Sequence, residues 1–148
     1  FSELHIHMIG HLQTNKVKQA LEIFNIFHTL DREKLLRELV KYPDKINTKT
    51  FFIQVNTGKE SSKSGVYPEK VKDFLELSRK CGLKNIEGLM CIPPVNESPK
   101  KHFDLIYNLS RSLDLKGLSI GMSSDYLEAL QYNPTYIRLG TTLFGKRQ

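Results

Sequence analysis

Little in this sequence supports a secreted or membrane-bound protein. Only two cysteines occur in 148 residues, Cys81 and Cys91, and both fall in stretches that read as regular structure. Two such thiols exclude a disulfide-stapled scaffold and point to a reducing, cytoplasmic setting. No apolar run approaches the roughly 20 residues of a membrane span, and no stretch has the make-up of a secretion signal; no membrane partner is expected. A basic stripe interleaved with aromatics is missing too. Lysine and arginine outnumber acids 22 to 16, for a net charge of +6, but the basic residues are dispersed, from Lys16 and Lys18 to Lys100 and Lys101, as on solvated helix faces. Nucleic acid is therefore not an expected partner. A glycine-rich phosphate turn is also absent, since "MIGHLQTNK" (8–16) holds one glycine. That argues against a doubly wound dinucleotide fold.

What is present is a repeated rhythm. Hydrophobic residues at 39% and charged residues at 26% are ordinary for one globular domain with a core of its own. "LHIHMIG" (4–10) reads as a strand. Val17, Ala20, Leu21 and Phe24 then recur at helical spacing. "IFHTL" (26–30) is a second strand, and Asp31 reads as the N-cap of a helix burying Leu35, Leu36, Leu39 and Val40. "TFFIQVN" (50–56) is the most strand-like run, β-branched and aromatic throughout. Pro68 opens a helix with Val71, Phe74, Leu75 and Ser78 on one face, and Gly82 closes it. "NIEGLMCI" (85–92) stops at Pro93-Pro94. Ser98-Pro99 starts a helix with Phe103, Ile106, Leu109 and Leu113 inward. "GLSIGM" (117–122), the helix "SSDYLEALQY" (123–132) and "TYIRLG" (135–140) complete the chain. Six strands alternating with about five helices predict an α/β fold with a parallel sheet and right-handed crossovers.

Small polar residues gather after the last two strands, in "GMSSD" and "GTTLFG". A (β/α) barrel builds its site from loops at the strand ends and often holds phosphate with the last two, so barrel geometry fits best. Glycine lets a backbone approach an oxyanion, hydroxyls add donors, and a helix start adds unpaired N–H groups. Ser123, Ser124, Thr141 and Thr142 stand at such starts, where serine and threonine also serve as ordinary N-caps. Asp125 would repel a phosphate unless it points away. Arg138 alternates with Ile137 and Leu139, so it enters the barrel when Leu139 packs outward. A buried guanidinium needs an acceptor there: a phosphate, a carboxylate or a heteroaromatic nitrogen.

"HMIGHLQTNK", "HTLDR", "FIQVN", "SSKSGV", "GLMCI", "LSIGMSSDYLEAL" and "IRLGTTLFGKR" occur in this order across nearly the whole chain. Together they resemble the pyridoxal-phosphate homeostasis proteins (the YggS/PROSC family), whose single barrel is similar to the N-terminal domain of alanine racemase. The resemblance implies pyridoxal 5'-phosphate as cofactor. It places Arg138 against the pyridine nitrogen, Ser123, Gly140 and Thr141 on the phosphate, and Met122 close by. It further implies a monomer that carries the cofactor, with pyridoxal-phosphate-dependent client enzymes as partners. Arginine as partner leaves a pyridine nitrogen unprotonated, which suits a carrier better than a catalyst. The alternative is a racemase-like enzyme, which needs two placed bases; no clear second base is present.

Two features of the family are not found. The early strand ending in the Schiff-base lysine and the "GENY"-like strand have no counterpart in residues 1–148, which match barrel strands 3 to 8. The chain is therefore expected to be part of a longer protein, a partial barrel whose first two strand-helix units are missing, with edges unpaired and its interior open to water. Lys63 in "SSKSG" lies on the site's side of the barrel and is a candidate substitute, although loop lysines are usually solvated. His5 and His7 share a strand face and His11 follows, but no carboxylate or cysteine joins them at ligand spacing, so no metal is expected. Cys91 reads as core, with no histidine beside it to activate the thiol. Asp31-Arg32 reads as a local cap or ion pair.

Overall fold

The structure, a computed structural model, describes residues 3–148. Six strands form its sheet: β1 (His7–Met8), β2 (Ile26–Leu30), β3 (Thr50–Gln54), β4 (Ile86–Met90), β5 (Gly117–Met122) and β6 (Tyr136–Arg138). They pair in chain order, and every pair is parallel. A parallel neighbour can be reached only by crossing over the sheet, and helices make most of these crossings. They are α1 (Val17–Ile23), α2 (Glu33–Leu39), α3 (Pro43–Ile46), α4 (Val71–Lys80), α5 (Pro99–Ser112) and α6 (Tyr126–Ala129); α7 (Thr141–Phe144) follows the last strand.

The sheet is curled. At about 4.8 Å per strand, a flat sheet would hold β1 and β6 roughly 24 Å apart. Instead the rings of His7 on β1 and Tyr136 on β6 lie 4.9 Å apart, edge to face. Curling separates two layers of side chains. Phe27, Leu30, Phe51, Ile53, Leu89, Leu118 and Ile120 point outward into the main core. There they meet Leu21 of α1, Leu36 of α2, Phe74 of α4 and Phe103 of α5. The alternate residues Ile26, Phe52 and Met90 point inward with Tyr136 as a second, smaller cluster.

That inner cluster corrects one expectation. Six strands do leave β1 and β6 with one neighbour each, yet the mid-level of the interior is not wet. Phe52, Met90 and Ser119 are fully buried and His28 is 1% exposed. The curl draws the edges close enough for these side chains to cover one another. Two facing glycines permit the tight packing. Gly88 and Gly117 are register partners, and a Cβ on Gly88 would stand 2.1 Å from the Gly117 carbonyl oxygen.

Several local expectations also change. The first strand is short because Ile6 bonds to Asn25, whose side-chain oxygen takes the Ile6 N–H at 2.9 Å while its own N–H meets the Ile6 carbonyl. Arg32 rather than Asp31 is the N-cap of α2, without a side-chain cap bond. The buried Asp31 carboxylate instead pairs with Arg32 at 2.6 Å and faces His11 Nδ1 at 3.3 Å. Residues 123–132 give a turn, the four-residue α6 and a 3-10 turn rather than one long helix. The Pro68 and Ser98-Pro99 starts and the Gly82 stop, at φ +102°, are as read from the sequence.

Candidate functional site

At the C-terminal ends of the strands an open cavity of about 1120 Å³ is lined by residues from both edges of the sheet. β1 contributes His7 and β2 His28. The end of β5 and the turn after it supply Met122, Ser123 and Ser124. β6, the turn after it and the start of α7 supply Tyr136, Arg138, Gly140, Thr141 and Thr142. All five residues proposed from sequence as ligand contacts, Met122, Ser123, Arg138, Gly140 and Thr141, therefore line one cavity.

The two polar loops are physically joined. The Thr142 N–H donates to Ser123 Oγ at 3.0 Å, so one hydrogen bond sets the spacing between "GMSSD" and "GTTLFG". Gly121 makes the first turn possible. Its φ is +95°, and a Cβ there would stand 2.7 Å from that of Ala129, so the strand end can lie against α6 only without a side chain. Asp125 is turned into this framework: its Oδ1 accepts the Met122 N–H at 2.7 Å. Its charge is thus committed to the turn, and it is not among the cavity-lining residues.

Arg138 enters the interior, as strand alternation requires. Its acceptors belong to the protein. Nη1 donates to the Ser119 carbonyl at 2.9 Å and to Ser119 Oγ at 2.5 Å, and Nη2 donates to the Cys91 carbonyl at 3.0 Å. The sequence argument asked for a ligand or a carboxylate; the answer is two backbone carbonyls, of Ser119 within β5 and of Cys91 just after β4, and a hydroxyl. A guanidinium has five N–H groups, and these bonds use three. Among the described residues none is bonded to the other two, and Arg138 lines the cavity. Burial lowers its proton affinity, yet arginine remains a cation at ordinary pH. No carboxylate among the described residues is paired with it.

A polar chain behind Arg138 was not legible as a site. His28 Nδ1 and Ser119 Oγ are 2.7 Å apart, and His28 Nε2 meets His7 Nδ1 at 2.9 Å. Burial foremost, then His7 and Arg138, pushes the His28 pKa down to about 4. Burial, with a smaller contribution from His5, lowers that of His7. Both imidazoles are therefore neutral near pH 7. The only sequence signal was a histidine inside the otherwise apolar and hydroxyl run "IFHTL", and a serine between Leu118 and Ile120.

The remaining candidates do not gather here. Lys63 is exposed on a loop pinned by Asn56, whose Nδ2 donates to the Glu60 carbonyl at 2.7 Å, and it does not line the cavity. His5 is exposed and His11 faces Asp31. No group of three or more potential metal ligands exists among the described residues. The Cys91 thiol is buried and pushed up to about 12, which removes it as a nucleophile. No helix among the described residues is long and apolar enough to cross a membrane.

The sequence profile of the alanine racemase N-terminal domain matches residues 2–148. A pyridoxal phosphate homeostasis protein of Aquifex aeolicus is 38% identical over 99% of this chain and 68% of its own length. The chain belongs to the pyridoxal phosphate homeostasis protein family. A family member from Vibrio cholerae is 37% identical over 95% of this chain, which spans 64% of that relative. Among solved structures, PipY of Synechococcus elongatus without PLP superposes with a TM-score of 0.86 at 28% identity, covering 98% of this chain and 73% of PipY. The structure of PipY with PLP bound gives 0.77 at 29% identity, covering 97% and 71%. The curled parallel sheet is thus a six-stranded half-barrel of the alanine racemase N-terminal type.

Proposed function

We propose that this protein binds pyridoxal 5'-phosphate in the cavity and serves intracellular homeostasis of that cofactor without turnover of its own. One observation carries the reading: a fixed guanidinium with two N–H groups to offer shares a cavity with two hydroxyl-bearing loops joined by the Ser123–Thr142 bond. These residues fit the group. Ser123, Gly140 and Thr141 hold the phosphate, Met122 lies beside the ring, and Arg138 donates to the pyridine nitrogen.

Bound cofactor supplies an electron sink, a weak one when its ring nitrogen carries no proton. Arg138 keeps its own proton and so leaves that nitrogen without one. His28 and His7, neutral and hydrogen-bonded to each other, supply no cation to the ring. Carriage suits this chemistry better than racemisation, which needs two placed bases. The reading extends to a cytoplasmic monomer that passes cofactor to dependent enzymes, in keeping with the free thiols of Cys81 and Cys91.

Titration calorimetry with pyridoxal phosphate tests the reading. The wild type binds it, Arg138→Ala binds at least tenfold more weakly, and alanine in heavy water exchanges no α-hydrogen beyond the rate with cofactor alone. Absence of binding to the wild type, or brisk exchange, overturns it.

A further inference from the structure

Arg138 carries its charge into the interior, and a long side chain of this kind has many rotamers to lose. Its placement depends on a neighbour that is itself held. Ser119 is fully buried, and its hydroxyl has one proton and two lone pairs. Arg138 Nη1 occupies one lone pair. The remaining capacity meets His28 Nδ1 at 2.7 Å.

His28 cannot swing away. Its ring stacks on Phe52 at 5.2 Å and 7°, and the edge-to-face ring of Tyr136 lies 5.3 Å off. Its other nitrogen is bonded to His7. Either neutral tautomer of His28 satisfies the chain. In one, Ser119 donates to Nδ1 and Nε2 donates to His7. In the other, His7 donates to Nε2 and Nδ1 donates to Ser119.

We propose that His28 and Ser119 are positioning residues for Arg138: the clamped imidazole orients the serine hydroxyl, which locks the guanidinium with its two remaining N–H groups available to the cavity. Without that lock, the Nη1 side of the guanidinium keeps only the Ser119 carbonyl and becomes mobile. A ligand that accepts from Arg138 then has to order it on binding. For what those N–H groups meet, the proposal rests on the reading of the cavity as a pyridoxal phosphate site; the lock itself does not.

The test uses the whole chain labelled with 15N-arginine and two readouts. The first needs no ligand. Nuclear magnetic resonance of the Arg138 side chain shows separate, slowly exchanging Nη signals in the wild type. They merge in Ser119→Ala and in His28→Phe, which keeps a stacking ring but loses the polar link. His28→Asn, whose amide reproduces the Nδ1 position, restores them. The second readout is calorimetry. Ser119→Ala and His28→Phe weaken pyridoxal phosphate binding about tenfold while leaving inorganic phosphate affinity within twofold, and Ser119→Ala adds nothing in an Arg138→Ala background. Signals that stay separate in both variants overturn the proposal. So does a parallel loss of phosphate affinity, or an Asn variant no better than Phe. If the wild type binds no pyridoxal phosphate, the functional reading fails while the resonance readout still decides the lock.

Discussion

A neutral histidine beside a half-buried arginine has a consequence for stability. His28 titrates near 6.5 when unfolded and at about 4 in the fold, so between these values the unfolded chain binds the extra proton. Stability from this residue is full above pH 6.5 and falls as the pH drops toward 4, a loss of about 3 kcal/mol. His28→Phe removes that term. Its urea midpoint will fall less between pH 7 and 4 than that of the wild type, whose carboxylates titrate identically; equal declines would contradict the assignment. Ser123 offers a second test at this scale. Its hydroxyl accepts the Thr142 N–H, so Ser123→Ala frees the two loops from each other and, on the proposed reading, removes one phosphate donor. Roughly a tenfold loss of phosphate affinity is expected, about 1.4 kcal/mol, measured by calorimetry with inorganic phosphate. Arg138 was legible because strict alternation fixes which face a strand residue occupies. Its partners were not, because carbonyls belong to no residue type and Ser119 looks like any small residue in a strand.

At the level of elements, the close approach of β4 and β5 is the most sensitive feature. Gly88→Ala would force its Cβ against the Gly117 carbonyl, and the strands must part. Overpacking of this kind costs about 3 kcal/mol, or a melting temperature lower by about 10 °C, read by thermal denaturation. An unchanged melting temperature would show that the strands yield freely. Helix starts and stops were readable wherever proline or glycine dictated them, as at Pro68, Gly82 and Pro99. The region 123–132 misled because its apolar residues recur at helical spacing, while Gly121 and the Asp125–Met122 bond impose a turn first. The short first strand misled for another reason: the Asn25 side chain substitutes for strand backbone in bonding Ile6.

Across the whole molecule, stability is graded from centre to edge. β2 to β5 have neighbours on both sides, whereas β1 and β6 have one each. Amide hydrogen exchange should be slowest in β3 and β4 and at least tenfold faster in β1 and β6; uniform protection would mean that the edge strands are as firmly held as the centre. On the proposed reading a ligand phosphate would bridge the turns after β5 and β6, so pyridoxal phosphate should slow exchange in β6 more than in β1. Local periodicity was enough to determine the succession of strands and helices, the outward-facing core and the polar loops after the last two strands, since each depends only on near neighbours in the chain. The curl that sets His7 against Tyr136, the acceptors that hold Arg138 and the neutral state of His28 were decided by tertiary structure. They arise from groups far apart in sequence, His7 with Tyr136 and His28 with Ser119, and burial and hydrogen bonding between such groups exist only once the sheet has curled.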